Sequence, residues 1–183
     1  MVCSAAMHDP CPSLLIRDEV PGDAAAIAAV LAAAFGQPAE AELVEALRAA
    51  GALTLSLVAE APDSALVGHI AFSPVTIDGK GADRLLGLAP LAVLPAWQGR
   101  RVGTALVEAS LARARAAGAE LVFVLGEPAY YRRFGFRPAG ERSIVWEHAA
   151  PAEAFMALAL GPGAGAATRG VLRYRAAFDR FVE

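Results

Sequence analysis

Two stretches of this 183-residue chain carry residue types at spacings that could do chemistry. In the first, the apolar run Leu88-Ala89-Pro90-Leu91-Ala92-Val93-Leu94 meets Pro95 and a tight turn, and Gln98-Gly99-Arg100-Arg101-Val102-Gly103-Thr104 then opens a helical pattern. A strand that feeds a helix start leaves the first helical N–H groups without intrahelical acceptors, pointing at whatever lies ahead of the helix. Such a site selects an anion. The helix dipole contributes about 0.3–1 kcal/mol, and direct N–H bonds with Arg100 or Arg101 add charge-assisted contacts, so a diphosphate is the natural ligand. Pro90 adds a second signal. A proline cannot donate to a sheet ladder and belongs at an edge or a bulge, where neighbouring amides are left to pair with something other than protein.

The second stretch is Val124-Leu125-Gly126-Glu127-Pro128-Ala129-Tyr130-Tyr131-Arg132-Arg133-Phe134-Gly135-Phe136. It brings phenols and positive charge to the C-terminal end of a buried strand, where ligands of α/β sheets usually bind. Two other phosphate loops fail. A Walker loop needs Gly-Lys before Ser or Thr, but the only lysine is Lys80. Gly161-Pro162-Gly163-Ala164-Gly165-Ala166 follows a strand but leads to Val171-Leu172-Arg173-Tyr174 rather than a helix, so it reads as a surface hairpin loop.

The elements that must position these stretches follow from hydrophobic period. Leu14-Leu15-Ile16 predicts a first strand. Pro21-Gly22-Asp23 supplies a turn and an N-cap for a helix with Ile27, Val30, Leu31 and Ala34 on one face, ending at Gly36 and Pro38. A second helix carries Leu43, Ala46, Leu47 and Ala50 and stops at Gly51. The period then changes to two, with Leu53, Leu55 and Leu57 on one strand and Leu66 to Ser73 on another. Asp78-Gly79-Lys80-Gly81 joins Val75-Thr76-Ile77 to Leu85-Leu94 as a hairpin, completing an antiparallel meander. Helical spacing returns from Arg101 with Val102, Leu106, Ala109 and Ala112 on one side, and the apolar run Leu121 to Leu125 suits a strand covered on both faces. A short helix near Pro128 to Phe134 and late strands near Phe155-Leu160 and Val171-Tyr174 complete an α+β order with a mixed sheet.

Length and charge narrow the function classes. The chain is of one-domain size, read as a flexible leader over 1–12 and a single domain over 13–183. Sixteen Lys+Arg against nineteen Asp+Glu give a net charge of −3, which disfavours nucleic acid and anionic membranes as partners. Hydrophobic residues make up 56%, a large share of them alanine. The longest charge-free run, Ala24 to Ala39, is short of the ~18 apolar residues a membrane span needs. The first twelve residues lack the pattern of a secretory signal, so the expected location is cytoplasmic. Cys3 and Cys11 have no further ligands nearby and read as incidental thiols; no metal site is expected.

Taken together, these stretches resemble the GNAT superfamily of acetyl-CoA-dependent N-acyltransferases, and in particular a mostly uncharacterised bacterial subgroup of it. The resemblance runs from Leu14 to about Phe178 in the family's order: strand, two helices, three-strand meander, helix, strand, helix and two late strands. The family's signature, Gln or Arg, two residues, Gly, one residue, then Gly or Ala, falls on Gln98-Gly99-Arg100-Arg101-Val102-Gly103, with Arg101 in place of the first glycine. The implied fold is a central mixed, mostly antiparallel sheet flanked by helices and splayed between the fourth and fifth strands. By position, backbone groups near Leu91 and Val93 would pair with the pantetheine arm of acetyl-CoA. Gln98, Gly99, Arg100, Arg101, Val102, Gly103 and Thr104 would cradle the pyrophosphate, and Tyr131, spaced as Tyr131-x-x-x-Gly135-Phe136, would be the general acid. The asparagine that many members carry ahead of that tyrosine has no counterpart.

The implied reaction moves an acetyl group to a primary amine on a small molecule or peptide. An ammonium with a pKa near ~10 must lose a proton, and a thiolate of pKa ~8.5 must leave. Tyr131 would protonate the sulfur, and backbone N–H groups at the bulge would stabilise the oxyanion. No base is evident: Glu127 and His69, which also reads as a satisfied strand histidine, are the candidates, with Asp83 third. The Gln37 to Glu45 and Gly161 to Gly170 segments are expected to border the acceptor, and the late strands to offer an edge for a homodimer. The alternatives are a non-catalytic acyl-CoA-binding or regulatory domain, and an interaction domain with no nucleotide ligand.

Overall fold

The computed structural model describes residues 14–82 and 84–180, so Cys3, His8, Cys11, the expected leader and Asp83 lie outside the described residues. In chain order the regular elements are β1 (Leu15–Asp18), α1 (Ala24–Phe35), α2 (Ala39–Ala49), β2 (Leu55–Glu60), β3 (Leu66–Pro74), β4 (Thr76–Ile77) and β5 (Leu85–Val93). They continue with α3 (Val102–Ala116), β6 (Leu121–Leu125), α4 (Pro128–Tyr131), β7 (Arg137–Pro138), β8 (Ile144–Trp146), β9 (Phe155–Ala159) and β10 (Gly170–Arg173). Seven strands form the main sheet in the order β1-β2-β3-β5-β6-β9-β7, and β4-β10-β8 form a small second one. In the main sheet only β5 and β6 run parallel, with α3 as the crossover between them. Among the described residues no helix is long and apolar enough to cross a membrane.

Helices cover both faces of the main sheet. Ile27, Val30 and Leu31 of α1 bury against Val58, Ala71 and Ala92 on one face. Val102, Leu106 and Val107 of α3 bury against Leu57, Ile70, Phe72 and Leu88 on the other. This two-sided cover explains why the alternation read from Leu53 to Leu57 stops at Val58: Leu57, Val58 and Ala59 are all buried, facing opposite cores in turn. The buried face of α3 is Val102, Leu106, Val107, Ser110, Leu111 and Ala114, and Ala112, expected on that face, is exposed. The alanine-rich sequence offers many registers, and the large side chains decide among them.

Three further expectations change. Asp23 occupies the N-cap of α1, but its carboxylate accepts from Val20 N–H (2.8 Å) and from Arg17 Nη1 (2.6 Å), fastening β1 to the helix instead of capping it. Across the Asp78–Gly81 turn the flanks pair, among the described residues, only at Ile77 with Lys80 and through Val75 N–H to Leu85 O, not along a whole hairpin. β5 pairs with β3, while β4 leaves to pair with β10. The late strands separate as well: β9 joins β6 in the main sheet, and β10 lies between β4 and β8.

A buried polar chain ties α2 to the sheet. Arg48 pairs with Glu19 (Nε–Oε1 3.0 Å), Ser56 donates to Glu19, and His69 Nε2 lies 2.8 Å from the Ser56 oxygen. Because the Ser56 proton goes to Glu19, Nε2 must carry the imidazole proton, and Nδ1 is buried without a partner. A second proton would sit on that solitary nitrogen. Burial accordingly lowers the His69 pKa to about 4, Glu19 opposing and Arg48 reinforcing the shift. Between pH about 4 and the unfolded value of 6.5 the unfolded chain binds the extra proton, so His69 makes stability rise with pH across that window and fall on acidification. Urea titrations should show a lower unfolding free energy at pH 5 than at pH 7.5, and His69→Gln should flatten that difference. An unchanged pH slope in the variant contradicts this assignment.

Candidate active site

The site is built where β5 and β6 part. Their parallel pairing covers only Leu85–Gly87 against Leu121–Phe123. On its other side β5 stays with β3, but two residues of β5, Ala89 and Pro90, oppose the single Ala71 between the Ile70–Leu91 and Phe72–Leu88 pairs. This is the bulge that Pro90 signals. Past it, Leu94 N–H donates to Val67 O at 2.9 Å across the Gly68–Val93 pair, which makes Gly68–Val93 and Ile70–Leu91 the pairs without mutual hydrogen bonds. The amides and carbonyls of Leu91 and Val93 therefore point away from β3, into the gap toward β6. Gln98 reaches back and donates through Nε2 to the Val93 carbonyl at 3.1 Å, so that acceptor is engaged and the turn is tied to the strand end.

Along one side of the gap runs a groove of about 610 Å³, and its lining includes Leu91, Val93, Gln98, Gly99, Arg101 and Gly103. Val102 and Thr104 complete its helix-start wall, and Glu127 and Tyr131 line the opposite side. Arg100 is exposed just beyond, its guanidinium 5.4 Å from the centre of the Trp97 ring. The first intrahelical bond of α3 runs from Ala105 N–H to Arg101 O, so the N–H groups of Val102, Gly103 and Thr104 have no intrahelical acceptor. Gly99, Arg100 and Arg101 are exposed. The helix start is thus open rather than turned into the protein.

Arg101 stands where the signature has glycine, and it takes glycine's conformation, with φ 64°. The loop shape survives at the cost of a left-handed residue with a β-carbon. The second signature glycine has a different reason. A β-carbon at Gly103 would come 2.7 Å from the Tyr130 hydroxyl, so this glycine makes room for a phenol against the helix start. Tyr130 and Arg133, together with Trp97, are groove residues that the motifs did not assign. The Arg133 guanidinium stacks 4.5 Å from the Tyr130 ring centre. The adjacent Tyr-Tyr pair and the Arg-Arg behind it are the signal that could have found them.

Tyr131 stands at the centre of the gap. It is 8% exposed and packs edge-on to Tyr130 (5.1 Å) and Phe136 (5.6 Å). Gly126 makes this possible, since a β-carbon there would lie 2.4 Å from Tyr131 Cε2. Burial, with the neighbouring Tyr130 adding to it, pushes the Tyr131 phenol well above its ordinary pKa, so it is protonated at neutral pH and can act as a donor. Glu127 is exposed and caps α4, its carboxylate accepting from Ala129 N–H at 3.3 Å. His69 is fully buried in its chain with Ser56 and Glu19 and lines neither side of the gap. Among the described residues no group of three or more His, Cys, Asp and Glu side chains is placed to hold a metal ion.

On the far side of the gap a second cavity, of about 360 Å³, opens between α1, α2 and the small sheet. Leu91 and Tyr131 line both spaces, so the two adjoin at the gap between β5 and β6. Gly87, the last residue of β5 paired with β6, has no room for a β-carbon because Tyr174 Cε1 would be 2.3 Å away. That ring lines the second cavity. The Gln37–Glu45 segment lines this cavity through Glu40 and Leu43. The Gly161–Gly170 segment borders neither space. Gly165 packs onto Leu121, at the opposite end of β6 from the gap.

Comparison with known proteins agrees with this geometry. Residues 53–138 match the family model for the acetyltransferase (GNAT) domain. The chain is 38% identical over 168 residues to the uncharacterized N-acetyltransferase YhbS of Escherichia coli K12, covering 92% of this chain and all of that relative. Against YjhQ of the same organism, also an uncharacterized N-acetyltransferase, identity is 40% over 135 residues, or 72% of this chain and 74% of that one. The crystal structure of Escherichia coli YhbS in complex with CoA superposes with a TM-score of 0.90, covering 94% of this chain and 96% of that one. A GNAT family acetyltransferase from Brucella melitensis in complex with acetyl-CoA, 45% identical, superposes at 0.77 over 91% and 98% of the two chains.

The strained position gives a direct test. Arg101→Gly should raise the unfolding free energy by about 1 kcal/mol by relieving the left-handed β-carbon, whereas Arg101→Ala, which keeps it, should not. Chemical denaturation measures both, and a destabilised glycine variant would contradict the loop geometry.

Proposed function

The chain belongs to the GNAT acetyltransferase family, and on that premise we propose that it transfers an acetyl group from acetyl-CoA to a primary amine on a small-molecule or peptide acceptor. The observation that carries the reading is the through-sheet gap. A diphosphate-ready helix start lies on one side and a separate cavity on the other, and the protonated phenol of Tyr131 borders both spaces together with Leu91. The groove fits the carrier. The N–H groups of residues 102–104 and the charge of Arg101 face the pyrophosphate, and Leu91 and the Val93 amide face the pantetheine arm.

Each residue then has one task. The outward-facing N–H groups of β5 polarise the thioester carbonyl and hold the oxyanion. Tyr131 donates its proton to the departing sulfur, which avoids expelling a bare thiolate. Glu127 lines the carrier groove and not the second cavity, so it does not face the entering amine, whose ammonium proton leaves to solvent. An arginine in the signature's glycine position is one ground for the non-catalytic alternative, and it weakens because Arg101 adopts the backbone conformation of the glycine it replaces.

Tyr131→Phe keeps the buried ring and removes the proton. In an assay of free thiol release from acetyl-CoA over a panel of amines, the variant should lose ~10²–10⁴ in kcat, while the thermal shift produced by CoA is retained. Unchanged turnover in the variant would remove Tyr131 as the acid; no thermal shift with CoA in the parent protein would remove the carrier reading altogether.

A further inference from the structure

The second cavity carries its own chemical selectivity, and the substrate class it selects rests on acetyl transfer being the activity of the gap. Its walls are apolar and aromatic, with Trp146, Tyr174, Phe178, Leu43 and Pro90 among them. Two of the few large hydrophobic side chains left exposed by the fold, Phe35 (42%) and Leu125 (45%), lie at this same cavity, at the C-terminal ends of α1 and β6. Exposed apolar surface beside a concave apolar space marks a ligand site, and a volume of about 360 Å³ is at the small end of the ~300–1,000 Å³ typical of small-molecule pockets.

One charged side chain lines this space among the described residues. It is Glu40, in the first turn of α2. Its carboxylate oxygens accept from the Gln37 side-chain amide at 3.2 and 3.3 Å, and among the described residues it has no Lys, Arg or His partner in an ion pair. An unpaired carboxylate at an aromatic cavity attracts a single cation with an apolar body, because the carboxylate supplies the countercharge and the rings supply both apolar contact and cation–π attraction. It repels an acidic substrate. A polycation would leave its additional charges against apolar walls without partners.

We infer that the acceptor is a small arylalkyl monoamine, its ring held by the Trp146, Tyr174 and Phe178 walls and its ammonium drawn in by Glu40. Glu40 is thus a specificity-determining residue for this side of the gap. It differs from Glu127, which lies on the carrier side.

The test uses the full chain, 2-phenylethylamine as probe, phenylalanine and spermidine as competing acceptors, and 2-phenylethanol as the uncharged mimic. The expected kcat/KM for 2-phenylethylamine exceeds that for phenylalanine and for spermidine at least tenfold. In Glu40→Gln, calorimetry should show 2-phenylethylamine binding at least tenfold more weakly while 2-phenylethanol binding changes less than threefold, and Glu40→Asp should restore part of the amine affinity. A merely structural Glu40 would weaken both probes equally, which overturns the inference. So does a preference for spermidine, or an amine affinity unaffected by Glu40→Gln. In those cases, if CoA still produces a thermal shift and another amine is acetylated, acetyl transfer stands and only the substrate class is wrong. Absence of both the CoA shift and all turnover instead defeats the acetyl-transfer reading, while the calorimetric comparison of amine and alcohol still decides the role of Glu40.

Discussion

The structure depends on one unmade pairing: after Gly87, β5 stops hydrogen-bonding to β6. A sheet edge in the middle of a domain leaves backbone donors and acceptors unsatisfied, which folding normally avoids. Here the break is enforced from several directions. Pro90 cannot donate, the two-for-one bulge at Ala89 and Pro90 turns β5 aside, and Tyr131 fills part of the opening from α4. β5 is held in place on its other side by β3, and β6 by β9, so the two halves diverge without the sheet falling apart. The free edge is therefore a rigid feature, and the N–H and C=O groups it exposes are positioned before any ligand arrives.

The gap gives direction to the chemistry. The groove at the helix start is lined by Arg101, Arg133 and Glu127, whereas the second cavity is lined by aromatic side chains and a single carboxylate, Glu40. In the proposed reading a charged carrier and an apolar-bodied amine enter from these two spaces, which share Leu91 and Tyr131 in their linings. Three glycines make the meeting point possible by absence of a side chain: Gly87 for Tyr174, Gly103 for Tyr130 and Gly126 for Tyr131. Each admits an aromatic ring where a methyl group would collide. This division of labour between backbone and aromatic side chains accounts for how little ionisable machinery the passage contains.

The groove at the helix start was legible in the sequence, and the second cavity, apart from its Gln37–Glu45 edge, was not. Strand, turn and helix start are contiguous between Leu88 and Thr104, so local rules suffice to read the bulge at Pro90 and the open N–H groups beyond it. The same holds for Tyr131, close behind a buried strand. Phe35, Glu40, Trp146, Tyr174 and Phe178 are scattered over more than 140 residues and belong to no motif; only tertiary packing brings them together. Short elements were lost for a related reason. β4, β7 and β8 have two or three residues each, too few to show a period, and β4 reads as part of a hairpin with β5 until its pairing with β10 is seen. On α3 only Ala112 was misplaced, because alanines weigh equally on every side, and His69 lies on its strand but is only half satisfied, with one nitrogen bonded and the other buried alone.

The most direct measurement of the central claim is amide hydrogen exchange with and without CoA. The unpaired edge and the open helix start predict that CoA slows exchange at Leu91 and Val93 and across residues 99–104, while the amide of Leu94, already bonded to Val67, changes little. Slowed exchange confined to other surfaces, with these amides unaffected, would mean that the gap between β5 and β6 does not hold the carrier.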